Sequence, residues 1–196
     1  MFSVLRPAVV STVVFTALLG LAYPLAITSA AGALFPAQAE GSLVKDARGH
    51  VVGSALIAQA FTRPEYLHPR PSAAGKGYDT TSSGGSNYGP LNPDLAKRVA
   101  GDADAIRRSD GARAIPADAV TTSASGLDPE ISPANALMQT PRVALARGVT
   151  ASAVRAVIDR ATERPLLGFL GQARVNVLKV NMALDAIYPV GQLRPR

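Results

Sequence analysis

From Pro7 to Ala39 the chain carries no Lys, Arg, Asp or Glu, and from Val9 to Phe35 it is densely apolar. A bilayer core is crossed by about 20 apolar residues in a helix, so this stretch can span one and add interfacial turns at its far end. Ser11, Thr12, Thr16 and Thr28 are compatible with lipid, because a hydroxyl in a helix can bond to a carbonyl one turn back. Pro24 predicts a kink of the kind that membrane helices tolerate. Gly20 with Ala17, Ala22 and Ala26 leaves room for another helix to approach closely. The competing reading is a cleaved secretory signal, with Ala37-Gln38-Ala39 as a small-x-small site before Glu40. A secretory apolar core runs about 7 to 15 residues, and this one is far longer, so the expectation is a retained anchor. Arg6 and the amino terminus make a positive head without acids. The positive-inside bias then predicts a cytoplasmic head over residues 1–8, a transmembrane helix with interfacial turns over 9–35, and an extracytoplasmic domain over 40–196.

Composition removes several chemistries from the exported part. There is no cysteine, which excludes disulfides, iron–sulfur ligation, haem-thiolate chemistry and thiol nucleophiles. With two histidines, a poly-histidine metal site built by this chain alone is not expected. The net charge is +6, but only 17% of residues are charged and 47% are apolar, so there is no dense basic arm and charge names no nucleic-acid partner.

The pattern beyond Glu40 predicts a mixed α/β domain with a small sheet and several helices. Gly41 to Val52 reads as a hairpin around Lys45-Asp46-Ala47-Arg48-Gly49, and Gly53 to Phe61 as a short helix stopped by Pro64. Thr62 to Pro93 is a long Gly/Ser/Pro loop, kept ordered by Tyr66, Tyr78 and Tyr88. Asn92-Pro93-Asp94 opens a helix to about Ser109. Ala114 to Val120 is too broken by proline to type, and Thr121 to Pro133 is a second polar loop. Ser132-Pro133 predicts a helix to Arg147 in which Pro141 is awkward. Thr150 caps another, whose apolar face is Val154, Val157, Ile158 and Ala161. Arg174 to Val180 alternates like a strand.

The two loops, Arg63 to Pro93 and Thr121 to Gln139, hold most of the polar chemistry. Ser83-Gly84-Gly85-Ser86-Asn87 has the form of an anion-cradling turn, although a purely structural turn is the better reading. Asp79, Asp128 and Glu130 are hard oxygen donors without the spacing of a calcium loop. An enzyme reading, a membrane-anchored extracytoplasmic serine hydrolase using Ser42 or Ser86, finds Ser42-Leu43-Val44-Lys45 in S-x-x-K form. It lacks the K-T-G element and any G-x-S-x-G elbow around a serine. His50 and His68 read better as solvated loop residues than as general bases. With no phosphate-binding G-x-x-x-x-G-K-[ST] loop and no D-K-T-G-T sequence, the chain cannot hydrolyse ATP by itself.

Six ordered blocks follow the apolar span. They are Gly53 to Gln59 with Phe61; Arg70-Pro71-Ser72-Ala73; Ser83 to Asn87; Ser123 to Pro129 with Ile131-Ser132-Pro133; Gln139 to Arg147; and Arg174 to Leu178 with Asn181, Leu184 and Asp185. In this order they closely resemble the KdpC family, the C subunits of the bacterial Kdp potassium-transporting P-type ATPases. Ala58 stands where members often carry Gly.

The resemblance implies a non-catalytic, single-pass accessory subunit of the inner membrane. Its partners would be a potassium-binding A subunit, an ATP-hydrolysing B subunit and, as an optional member, a small single-helix F subunit. It implies a catalytic chaperone that stabilises the assembly and raises the ATP affinity of the B subunit. No cofactor is expected to be tightly bound. ATP is implied by the resemblance, but the predicted topology contests it by placing both polar loops outside. The expectation is that the exported domain docks on the outward face of the A subunit and that any effect on ATP use travels through the membrane helix as a coupling free energy. Arg70, Ser72, Ser83, Ser86, Asn87, Ser125, Asp128, Gln139 and Arg142 are the candidate partner-facing or ligand-contacting residues, because buried polar loops need hydrogen-bond partners. The alternative is that each merely holds its own loop together.

Overall fold

The computed structural model describes residues 2–190. Met1 of the expected head and residues 191–196 of the expected outer domain lie outside the described residues. The chain divides after Leu43 into two compact units.

The first unit is helical: α1 (Phe2–Ala17), a π-helical turn (Leu18–Ala22), α2 (Tyr23–Leu34) and the short α3 (Pro36–Ala39). Ser3–Leu34 is long and apolar enough to cross a membrane, and the large side chains along it are exposed. At 1.5 Å rise per residue its length is about 48 Å, more than the ~30 Å hydrocarbon core requires. The π turn precedes Pro24, which lacks an N–H. The Tyr23 N–H reaches back to the Leu18 carbonyl, the widened bonding that accommodates an interrupted ladder.

At the boundary, β1 (Leu43–Lys45) leads into the second unit and pairs with β2 (Val51–Ser54) as the expected hairpin. Asp46 organises the turn by accepting from the Arg48 and His50 N–H groups at 2.8 and 2.9 Å. After β2 no helix forms. The backbone between Ala55 and Ala58 is claimed from elsewhere: Asn176 Nδ2 donates to the Ala55 carbonyl at 2.8 Å and the Ala58 N–H donates to the Leu127 carbonyl at 2.9 Å. Gln59 Nε2 meanwhile donates back to the Val52 carbonyl at 2.8 Å. The apolar run from Gly53 to Phe61 is therefore a strap over the core rather than a local helix.

The helices are α4 (Pro93–Asp110), α5 (Ala117–Val120), α6 (Pro133–Met138), α7 (Thr140–Arg147), α8 (Ala151–Ala161) and α9 (Val177–Ile187). Asn92, Ser132 and Thr150 cap α4, α6 and α8 through side-chain oxygens. The expected continuous helix from Pro133 to Arg147 is broken at Gln139. Pro141 cannot donate to the preceding turn and biases the residue before it away from the helical region, so the chain restarts with proline in the first turn of α7.

The sheet has order β3 (Glu130–Ile131), β5 (Arg174–Asn176), β4 (Thr162–Glu163), all antiparallel, with Ile131 opposite Val175 and Glu163 opposite Arg174. The strand expected to reach Val180 stops at Asn176, whose side chain accepts from the Lys179 N–H at 3.1 Å and so caps α9. The core lies between this sheet and the helices α7, α8 and α9, around Leu67, Ile131, Val143, Val154, Ile158, Val175, Val180 and Leu184. Buried Asn181 binds the loop after the strap there: its Oδ1 accepts the Leu67 N–H at 2.8 Å and its Nδ2 donates to the Leu67 carbonyl at 2.9 Å. Both backbone groups of a buried loop residue are thereby satisfied. The result is one amino-terminal apolar helix followed by a mixed α/β region with small sheets and several helices.

Candidate functional site

The two polar loops fold against each other as a clasp. Arg70 leads it, with Nη1 donating to Asp128 Oδ2 at 3.1 Å, Nε to the Thr121 carbonyl and Nη2 to the Thr122 carbonyl at 3.3 Å each. The other Asp128 oxygen accepts the Glu130 N–H at 3.0 Å. Ser72 Oγ donates to the Gly126 carbonyl at 2.6 Å and accepts the Ala74 and Tyr78 N–H groups. Ser83 Oγ and the Gly84 N–H both donate to the Ser125 carbonyl at 2.9 Å. Ser125 Oγ accepts the Leu127 N–H at 3.1 Å, and Ser86 Oγ accepts from the Thr122 hydroxyl at 3.3 Å. The Tyr78 hydroxyl closes the clasp by donating to the Arg70 carbonyl at 2.7 Å. Burial, with the Asp102 charge second, pushes the Tyr78 phenol up to about 12, so it remains a donor at any physiological pH.

Arg70, Ser72, Ser83, Ser86, Ser125 and Asp128 thus come together, while Asn87 stays exposed at the rim with a φ of 52°, a conformation asparagine tolerates. The Ser83-Gly84-Gly85 turn faces the second loop rather than an open cradle. The Gly84 N–H is engaged there, and a Cβ on Gly85 would lie 3.0 Å from the Ala124 carbonyl oxygen. Arg70 and Asp128 line two shallow concavities, one shared with Glu130 and Arg174, the other with Ser125. Their pair is partly exposed, so its net worth is about 1 kcal/mol or less.

Gln139 and Arg142 belong to a second, more buried cluster. Gln139 reads the His68 backbone twice, accepting its N–H at 2.7 Å and donating to its carbonyl at 3.0 Å. The break between α6 and α7 is what aims it there. Arg142 donates Nε to Asp110 at 2.7 Å, Nη1 to the Pro64 and Tyr66 carbonyls at 2.8 and 2.9 Å, and Nη2 to Gln139 Oε1 at 2.6 Å. Its Nη1 also faces His68 Nε2 at 3.4 Å. Burial first, and the Arg142 charge second, hold the His68 imidazole below its ordinary value. A cleft of about 300 Å³ opens beside this cluster, lined by His68, Tyr78, Asp102, Asp110 and Gln139.

Three polar residues outside the expected set are as deeply engaged. Arg147 is buried and donates to the Glu65 and Tyr188 carbonyls and to Asp185, while stacking over Tyr66 at 5.2 Å. Asp110 is the carboxylate partner of Arg142. Asp118 accepts from the Ser132 N–H and hydroxyl and from Asn135 Nδ2, which fixes the start of α6. A charged residue on the apolar side of a helical pattern is the sequence signal for Arg147. Asp110 and Asp118 carry none, because their partners are distant in the chain.

The hydrolase reading gains nothing. His50 pairs with Asp46 in the hairpin turn, the His68 ring faces the Arg63 carbonyl and Arg142, and Ser86 is hydrogen-bonded to Thr122. Nor do Asp79, Asp128 and Glu130 converge: among the described residues no three acids or histidines are placed to hold a metal ion.

Gly126 is where the clasp is tightest. Its φ is +68°, and a Cβ there would lie 2.6 Å from both the Ala74 nitrogen and the Gly84 oxygen. Gly126→Ala is expected to cost about 1–3 kcal/mol in backbone strain alone and to part the loops. It should lower the urea midpoint of the full chain in detergent and quicken proteolysis between Arg63 and Pro93, with the sheet and α7–α9 retained.

The profile of a family described as KdpC, the c chain of K+-transporting ATPase, matches residues 5–186. The potassium-transporting ATPase KdpC subunit of Caulobacter sp. (strain K31) is 68% identical over 189 residues, covering 96% of each chain. Its counterpart in Caulobacter vibrioides (strain NA1000 / CB15N) is 64% identical over the same length, again 96% of each. That of Beijerinckia indica is 57% identical over 188 residues, 95% of each. The matched region contains both the apolar helix and the clasped loops, and the chain belongs to the KdpC family of K+-transporting ATPase subunits.

Proposed function

We propose that this chain is the non-catalytic accessory subunit of an ATP-driven potassium-uptake complex. It is held in the bacterial inner membrane by Ser3–Leu34, with its amino terminus in the cytoplasm and residues 40–196 outside. Its partners are the potassium-binding A subunit, the ATP-hydrolysing B subunit and a small F subunit. The observation that carries this reading is that the clasp side chains hold two long loops in one shape instead of converging on a reacting atom. Such a surface suits binding. The Arg70–Asp128 edge is the face offered to the A subunit, and the chain holds no tightly bound cofactor. The engaged Gly84 amide argues against a phosphate cradle in this turn. The effect on ATP use is therefore exerted on the B subunit, through the helix, as coupling between sites.

Three measurements test this. Wild type lacks cysteine and Ser82 is exposed, so Ser82→Cys should react with a membrane-impermeant thiol reagent in intact spheroplasts. Labelling only after lysis overturns the orientation. In the assembled complex, omitting this subunit should raise the KM for ATP within the about 5- to 150-fold range typical of coupled sites. Asp128→Asn should lower recovery of the A and B subunits and potassium-stimulated ATPase activity. Unchanged values with a folded variant remove Asp128 from the docking face.

A further inference from the structure

Between β4 and β5 the chain makes a small apolar hairpin that no other described residue of the second unit covers. Leu166, Leu167 and Phe169 are 70%, 76% and 73% exposed, and Leu170 is 49% exposed. We propose that this loop, Pro165–Gly171, inserts into the interface of the lipid bilayer that holds the amino-terminal helix, giving the domain a second, reversible membrane contact.

Its hydrogen bonding fits lipid. The Leu166 N–H donates to the Leu170 carbonyl at 3.1 Å and the Leu170 N–H returns to the Leu166 carbonyl at 2.9 Å. The Gly168 and Phe169 N–H groups donate to the Pro165 and Leu166 carbonyls at 3.0 and 3.3 Å. A loop can enter a poorly hydrated layer only if its backbone groups are satisfied internally, and at these four amides that condition is met. The tip passes through Leu167 and Gly168 at φ values of 54° and 82°. Leucine is uncommon in that region, and this turn is what carries its side chain out with its neighbours.

The chemistry of the flanks agrees. From Pro165 to Gly171 no side chain can donate or accept a hydrogen bond, so no polar side chain of the loop has to be desolvated on entering an apolar layer. Exposed Arg164 immediately precedes it, exposed Arg160 lies one β strand earlier in the last turn of α8, and neither forms an ion pair among the described residues. The nearby Glu163 is neutralised by Arg174 at 2.9 Å and Lys179 at 3.2 Å. Apolar tip and cationic base are the arrangement that seats at a headgroup layer. Finally, the ten residue steps from Leu34 to Val44 extend to about 35 Å at most, so the tether of an anchored chain is short. The inference holds for either orientation of the chain.

The test uses the absence of tryptophan. Phe169→Trp makes the loop the sole indole emitter in the full-length chain, and Leu91→Trp, at a position 96% exposed, is the control. Both are reconstituted in vesicles of phosphatidylethanolamine and phosphatidylglycerol, with and without brominated acyl chains. The expected result is a blue-shifted Phe169→Trp emission, quenched by bromolipid several-fold more than the control. That quenching should be lost when Leu167→Glu is added, with the circular dichroism unchanged. Solvent-like emission open to iodide overturns the proposal. Protection that develops only when the large membrane subunits are added also overturns it, in favour of a protein dock.

Discussion

Arg147→Ala is expected to destabilise the domain by about 4 kcal/mol, a large share of the ~5–15 kcal/mol that holds a typical domain together. The Arg147 side chain is fully buried, yet it is spent on backbone. It supplies the donors for the carbonyls of Glu65 and Tyr188, at 2.7 and 2.9 Å, in two segments that no strand or helix pairs. Removing it orphans both carbonyls, strips one of two guanidinium groups from the Tyr66 ring, where Arg63 stays at 5.8 Å, and leaves the volume empty. Arg147→Met restores most of the volume and none of the donors, so it should recover only a minor part of the loss. Urea denaturation of the full chain in detergent separates the two effects. Equal stability of the methionine variant and wild type would mean that packing alone matters here.

The second large effect is at Asp110 and Arg142, whose side chains are 5% and 8% exposed. Breaking a buried pair from one side leaves an uncompensated charge and costs about 3–5 kcal/mol. Arg142→Ala and Asp110→Ala are each expected to fall in that range. The double variant Arg142→Met with Asp110→Leu should cost less than the two single losses combined, since no buried charge is stranded. Arg142→Ala also has a signature that simple destabilisation lacks. In the folded protein His68 sits below its usual 6.5 because of burial and then Arg142. Below pH 6.5 the unfolded chain therefore binds a proton that the folded one refuses. Stability falls as pH drops through that value and levels off once the folded imidazole protonates. Taking Arg142 away lifts one cause of the depression, so the folded His68 value should rise and the acid-side slope shrink. With only two histidines in the chain, NMR titration of the imidazole protons reads this directly. An unmoved His68 titration would refute the Arg142 contribution.

The caps at Asn92, Ser132 and Thr150, the hairpin around Asp46 and the apolar face of α8 were all legible in the residues, because each is made by neighbours within one or two turns. The misreadings share the opposite cause. Gly53 to Phe61 has helical apolarity, but its backbone is taken by Asn176 and Leu127, more than sixty positions away. The strand beginning at Arg174 ends early because Asn176, its last paired residue, turns its side chain to capping α9. Both two-residue strands were invisible, being too short for any period to develop.

Of the candidate residues, sequence order grouped the two loops, and geometry divided them. Arg70, Ser72, Ser83, Ser86, Ser125 and Asp128 form the clasp, whereas Gln139 and Arg142 serve a buried junction with His68 and Asp110. No pattern in the chain could pair Arg142 with an aspartate thirty-two positions earlier. What the sequence determined alone was the membrane-competent helix, the starts of α4, α6 and α8 and the family, since these rest on composition, on local hydrogen bonds and on the order of whole blocks. The tertiary structure decided which polar groups are buried and with whom. A buried donor or acceptor must find a partner wherever the fold brings one, and separation along the chain places no limit on that search.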